Sequence, residues 1–107
     1  MSVLELQATV GSDPDGVLVV AAGGEIDLET APRLKDWLAD ALATDMHTVV
    51  LDLAQVSFMD SSGLTALLVA HNEAAKVGRT LVLRGPTRQT RDLFVMTGLD
   101  QVFTIES

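Results

Sequence analysis

The chain contains no cysteine, which removes disulfides, thiolate nucleophiles and cysteine metal sites from consideration. Basic residues are scarce as well. Seven lysines and arginines stand against fifteen aspartates and glutamates, for a formal net charge of −8. Nucleic acid, whose phosphates are neutralised by Lys and Arg, is therefore not an expected partner. The acidity is spread along the chain and forms no acidic tail. Solubility accounts for it; a basic partner surface is the sharper reading, which charge alone does not establish. Long apolar runs are also missing. Val17 to Ala22 falls far short of the ~20 residues needed to cross a bilayer. Met1-Ser-Val-Leu-Glu-Leu has neither the basic segment nor the long apolar segment of a secretory signal. The expectation is a soluble cytoplasmic protein with no membrane partner.

Catalytic machinery is missing too. A serine nucleophile needs a base within hydrogen-bond reach, and only His47 and His71 are available. His47 precedes a strand, at the edge opposite Ser62, and His71 lies more than two turns down the helix that Ser62 begins. The elbow pattern G-x-S-x-G is absent. Asp27, Asp52 and Asp60 are the one carboxylate cluster that the topology allows; without a histidine they would hold at best a loose Mg²⁺. Helix capping explains Asp60 more simply, and a solvated strand end explains Asp52. A phosphoacceptor receiver domain would need paired acids after its first strand and a late lysine. The chain has Thr9-Val10-Gly11 in the first place and no lysine beyond Lys76. No loop of the G-x-x-x-x-G-K-S type would cradle ATP. The chain is expected to be no enzyme, with no metal and no cofactor of its own.

What is present fits one globular domain over residues 1–107, with 48% hydrophobic residues. Val3 to Val10 alternates at period two, as a half-exposed edge strand does. The turn-rich Gly11 to Gly16 predicts an antiparallel hairpin with Val17 to Ala22, a continuously apolar strand expected to be covered on both sides. Thr30-Ala31-Pro32 opens a helix with a capping hydroxyl, and Leu34, Leu38, Ala41 and Leu42 form its apolar stripe. Thr48 to Leu53 is a second buried strand, followed by a linker from Ala54 to Met59. From Gly63 to Val77 a second helix carries Leu64, Leu67, Leu68, His71 and Ala75 on one face, and Gly78 stops it. Thr80 to Leu83, a third helix ending at Met96 and a strand over Val102 to Ile105 complete the order. The implied fold is α/β: a mixed, mostly parallel sheet of four or five strands with helices packed on it.

A parallel sheet brings the loops around Asp27, around Ser62 and at Gly85-Pro86-Thr87 to one carboxyl edge. In Asp60-Ser61-Ser62-Gly63-Leu64, two hydroxyls and a glycine stand where a strand gives way to a helix. A serine there exposes its Oγ to another protein's active site, so the turn reads as a site for a reversible phosphate. Arg84 and Arg88 are candidate flanking cations, with solvated surface charge as the plainer account.

Phe58-Met59-Asp60-Ser61-Ser62-Gly63-Leu64, together with Gly24-Glu25-Ile26-Asp27 and Thr30-Ala31-Pro32-Arg33-Leu34, closely resembles the bacterial anti-sigma-factor antagonists, which are single STAS domains. The resemblance spans essentially the whole chain. It implies a partner-switching module that binds an anti-sigma-factor serine kinase and so frees the sigma factor. It further implies phosphorylation of Ser62, with Ser61 the alternative acceptor, at the expense of the kinase's ATP. A metal-dependent serine phosphatase would reverse the mark. Asp27 would belong to the surface that meets the kinase, alongside Asp60, Ser61, Ser62 and Gly63, and the free protein would be a monomer. Gly63 has two readings, close approach to the kinase's nucleotide and helix-start flexibility. The alternative function is a non-switching STAS subunit of a larger signalling assembly, or a ligand-sensing module.

Overall fold

The computed structural model describes residues 7–12 and 15–106. Five strands form one sheet in the order β1-β2-β3-β4-β5, and the spatial order equals the chain order. β1 (Gln7–Ser12) lies antiparallel on the edge of β2 (Val17–Ile26). The turn that joins them includes residues outside the described ones, as does the beginning of the strand expected from Val3. β3 (Thr48–Met59), β4 (Thr80–Arg84) and β5 (Thr104–Glu106) then follow β2 in parallel. The crossovers are α1 (Ala31–Leu42), α2 (Ser61–Lys76) and α3 (Arg88–Thr97), the last followed by a 3₁₀ turn at Leu99–Gln101.

Strands added always on the same side, through right-handed crossovers, must place every helix on the same face. The burial pattern agrees. Leu18, Val20 and Ala22 of β2, Val49, Leu51 and Leu53 of β3, and Leu81 and Leu83 of β4 join Leu34, Leu38, Leu67 and Phe94 of the helices in one core. The alternate residues Val17, Val19, Ala21, Asp52, Val82 and Arg84 are only partly buried. Val50 is the exception at 3% exposure, shielded by its cross-strand neighbours Val19 and Val82. The expectation that Val17 to Ala22 is covered on both sides is therefore corrected: the strand is apolar throughout, yet helices cover one side only. Nor does the strand order reverse, so the sheet lacks the crevice that a reversal opens in doubly wound folds.

A second correction concerns the segment expected as a linker, Ala54 to Met59. It continues β3, paired with β2 as far as Ile26 opposite Met59, with register shifts between Ala21 and Gly23 and between Gly24 and Glu25. β4 stops pairing at Arg84 opposite Asp52. The ends of β2 and β3 thus run past β4 as a two-stranded ribbon. The Gly85-Pro86-Thr87 loop consequently lies beside Ala54, at the ribbon's base, and not at the rim with the other two loops.

The first turn of α3 supplies what β4 does not. The Gln89 amide donates from Nε2 to the Met59 carbonyl at 2.8 Å, and its Oε1 accepts the Met59 N–H at 2.9 Å. One side chain stands in for a neighbouring strand and satisfies backbone groups that would otherwise be unpaired. α2 seats on the same tip through Gly63, which is buried. A Cβ there would come within 2.6 Å of Met59 Cγ and 2.8 Å of Ile26 Cγ2. The helical face of α2 is also set by this contact: Gly63, Leu64, Ala66, Leu67, Ala70 and Ala74 are buried. Leu68 and His71 are only half-buried and Ala75 is exposed, so the expected face is rotated.

Two outcomes follow for stability. Gly63→Ala gains helix propensity of at most ~1 kcal/mol, but crowds two almost fully buried side chains, which costs about 1–3 kcal/mol. Net destabilisation is expected in urea unfolding, and an equal or raised midpoint would contradict it. Gln89→Ala strips both partners from the Met59 backbone and should cost about 1–3 kcal/mol, with faster hydrogen exchange at the Met59 amide.

Candidate functional site

The rim is built on the paired tips of β2 and β3. The Asp60 N–H donates to the Ile26 carbonyl at 3.0 Å, so the chain leaves the two strands as adjacent turns, one toward α1 and one into α2. Asp27 and the Ser61-Ser62 pair are thereby neighbours, although far apart in sequence.

Each carboxylate of the rim has a local task. Asp60 is the N-cap of α2, and its Oδ1 accepts the Ser62 N–H at 2.8 Å and the Gly63 N–H at 3.4 Å. Such a cap contributes roughly 0.5–2 kcal/mol. Asp27 Oδ1 accepts the N–H groups of Glu29 and Thr30, both at 3.0 Å. The Asp27 carbonyl accepts the Ala31 N–H at 2.8 Å. The Thr30 hydroxyl does not cap α1 as expected. It donates to the Glu25 carbonyl at 2.8 Å and accepts the Asp27 N–H at 2.9 Å, tying the loop back to its own strand. Asp52 Oδ1 accepts the Ala54 N–H at the base of the ribbon. The three aspartates are thus engaged at separate places. Among the described residues, no three His, Cys, Asp or Glu side chains converge as a metal site would require.

The serines differ. Ser61 is exposed, and its carbonyl accepts the Thr65 hydroxyl at 3.1 Å. Ser62 is partly buried and lines an open groove of about 370 Å³ between the first turns of α1 and α2. The other walls are Leu28, Pro32 and Lys35 on one side and Thr65 and Val69 on the other. Ala31 and Ala66 are both buried there, and their small side chains let the helix ends approach. Leu28 is 79% exposed and Val69 is 37% exposed, so the groove presents apolar surface directly to solvent. The Ser62 hydroxyl makes no hydrogen bond among the described residues.

The candidate cations named from sequence lie elsewhere. Arg84 pairs with Glu106 and Arg88 faces Asp92 at 3.9 Å. Neither reaches Ser62. Lys35, one turn into α1, is the cation of the groove, and sequence reading missed it because its neighbour across the groove comes from another helix. Gln89 was missed for the same reason. The histidines are remote from Ser62: His71 packs edge-on against Phe103, with ring centroids 5.9 Å apart, and His47 sits beside Gly16. Among the described residues, no helix is long and apolar enough to cross a membrane.

Comparison with known proteins agrees with this architecture. The profile of the STAS domain matches residues 12–107. The anti-sigma-F factor antagonist RsfB of Mycobacterium tuberculosis is 37% identical over 100 residues, spanning 90% of this chain and 78% of the relative. The anti-sigma-B factor antagonist of Listeria monocytogenes is 34% identical over 95 residues, spanning 89% and 82%. A crystal structure of an anti-sigma factor antagonist from Mycobacterium paratuberculosis superposes with a TM-score of 0.79 at 37% identity, covering 95% of this chain and 86% of that one. Sequence and fold agree over nearly the full length, and the chain belongs to the STAS-domain family of anti-sigma-factor antagonists.

Proposed function

We propose that this chain is a partner switch: unmodified, it binds an anti-sigma factor that is also a serine kinase, and phosphorylation of Ser62 ends that binding. The observation that carries this reading is a serine hydroxyl with no hydrogen bond among the described residues, in the wall of an open apolar groove at the first turn of a helix. The relatives named above are antagonists of anti-sigma factors, and a regulator of that kind is acted upon by enzymes without being one.

The physics favours a switch at the interface over one by unfolding. A phosphoryl group brings roughly −1.5 to −2 charges and three strong acceptors. At the start of α2 the helix dipole favours that charge, while Asp60, which already holds the Ser62 and Gly63 N–H groups, opposes it. The domain should therefore stay folded. A partner seated on Leu28, Pro32 and Val69 meets the new charge in a desolvated contact. Misplaced charge in such a contact costs several kcal/mol, and ~4 kcal/mol is about a thousandfold in affinity. That is enough to turn binding into release. ATP belongs to the kinase, and a metal-dependent serine phosphatase resets the mark. Between these encounters the protein is a cytoplasmic monomer with no nucleic-acid partner.

Asp27 acts by shaping the loop that presents Leu28, since its Oδ1 holds the N–H groups of Glu29 and Thr30.

Phosphopeptide mapping after incubation with candidate anti-sigma kinases and ATP should place the phosphate on Ser62; a mark on Ser61 or elsewhere would overturn the assignment. By titration calorimetry, Ser62→Ala should bind the kinase like the unmodified protein, and Ser62→Asp at least tenfold more weakly. Equal affinities for both would sink the switch. Asp27→Asn keeps the Oδ1 acceptor and should retain binding to within a few-fold, whereas Asp27→Ala should lose most of it. If Asn fails as badly as Ala, the carboxylate charge itself meets the partner.

A further inference from the structure

Lys35 makes no hydrogen bond or ion pair among the described residues. Of the seven lysines and arginines, five are engaged: Arg33 has a partner, Lys76 pairs with Glu73, Arg79 donates to the Leu42 carbonyl, Arg84 pairs with Glu106, and Arg88 faces Asp92. Among the described residues only Lys35 and Arg91 lack a partner, and Lys35 alone lines the groove that holds Ser62. Its aliphatic stem fits the apolar wall, as lysine stems commonly do, with the ammonium free at the end. Across from it stands the one hydroxyl of the rim expected to acquire negative charge.

We infer that Lys35 is the internal counter-cation of a phosphate on Ser62, and that their pairing bridges α1 to α2 across the groove. This rests on the reading of Ser62 as the phosphoacceptor and adds the consequence of phosphorylation inside the domain. The cation that lines the groove with Ser62 is Lys35 of α1. Of the acids, Asp60 is the one bonded to the Ser62 and Gly63 N–H groups, and Asp27 and Glu29 lie on the loop before α1. A flexible ammonium with three donors can follow a tetrahedral phosphate without bidentate geometry. The bridge places a charged pair over Pro32 and Val69, so the apolar surface offered to a partner is covered as well as made negative. Phosphorylation thus closes the docking groove from within.

The test needs no kinase. Phosphoserine is installed at position 62 during synthesis, and its second ionisation is followed by phosphorus NMR across pH. An ammonium beside the phosphate favours the dianion. The phosphate should therefore titrate about half a pH unit or more below that of the Lys35→Gln protein. Lys35→Arg should restore the lower value, and added salt should shrink the difference. Phosphoserine at position 61 should be indifferent to Lys35→Gln. Superimposable titrations of phosphorylated wild type and Lys35→Gln overturn the inference, as does an equal effect at positions 61 and 62. Because Lys35 is exposed, its substitution leaves the core untouched, and unfolding curves verify that. The inference and the parent reading fail separately. Kinase mapping to another residue refutes the phosphoacceptor assignment, while the titration answers for the ion pair alone.

Discussion

The arrangement depends on the parallel pairing of β2 with β3, carried past the end of β4 to Ile26 opposite Met59. Strand neighbours lie under 5 Å apart, so whatever follows Ile26 and whatever follows Met59 must emerge together. Asp27 and the Ser61-Ser62 turn are separated by more than thirty residues of chain and meet only for that reason. The Asp60 N–H on the Ile26 carbonyl extends the pairing into the turn itself. Gln89 then secures the open side of the ribbon.

The polar groups of the rim divide into those that hold backbone and those left unbonded among the described residues. Asp60 caps, Asp27 and Thr30 hold the loop before α1, and Gln89 pairs with backbone; each is committed to a hydrogen bond that fixes main chain. Ser62 and Lys35 are the polar side chains of the groove left without internal bonds among the described residues. The proposed switch would benefit from this division: charge added to an uncommitted hydroxyl would change the surface while the capping network keeps the fold.

One-face packing has a related consequence. With all three helices on one side, the interhelical groove between α1 and α2 is a concave apolar feature at the rim, and a strand order that never reverses opens no crevice at the sheet's edge. The proposed docking surface accordingly lies on helix ends and the loop carrying Leu28, away from the sheet.

Local sequence carried a good deal of this. The stripe of Leu34, Leu38, Ala41 and Leu42 needs only the helical period to be recognised, and all four are buried. The cap at Asp60 is legible because its partners are two and three residues away. The parallel sense of β2, β3 and β4 followed from alternation of strands with helices. Less legible was anything set by where one element ends relative to another. Ala54 to Met59 mixes polar and apolar residues without a clean period, because its register shifts and its missing β4 neighbour break the alternation that a regular strand shows. The apolar run at Val17 to Ala22 looks the same whether one face or two are covered, since composition does not record which side the helices take; the handedness of successive crossovers does. Gln89 and Lys35 each derive their meaning from a contact with a distant segment. Residue types and short spacings encode hydrogen bonds and helical faces within a few positions, whereas the groove, its cation and the strut beneath the serine turn exist only once separate elements have packed.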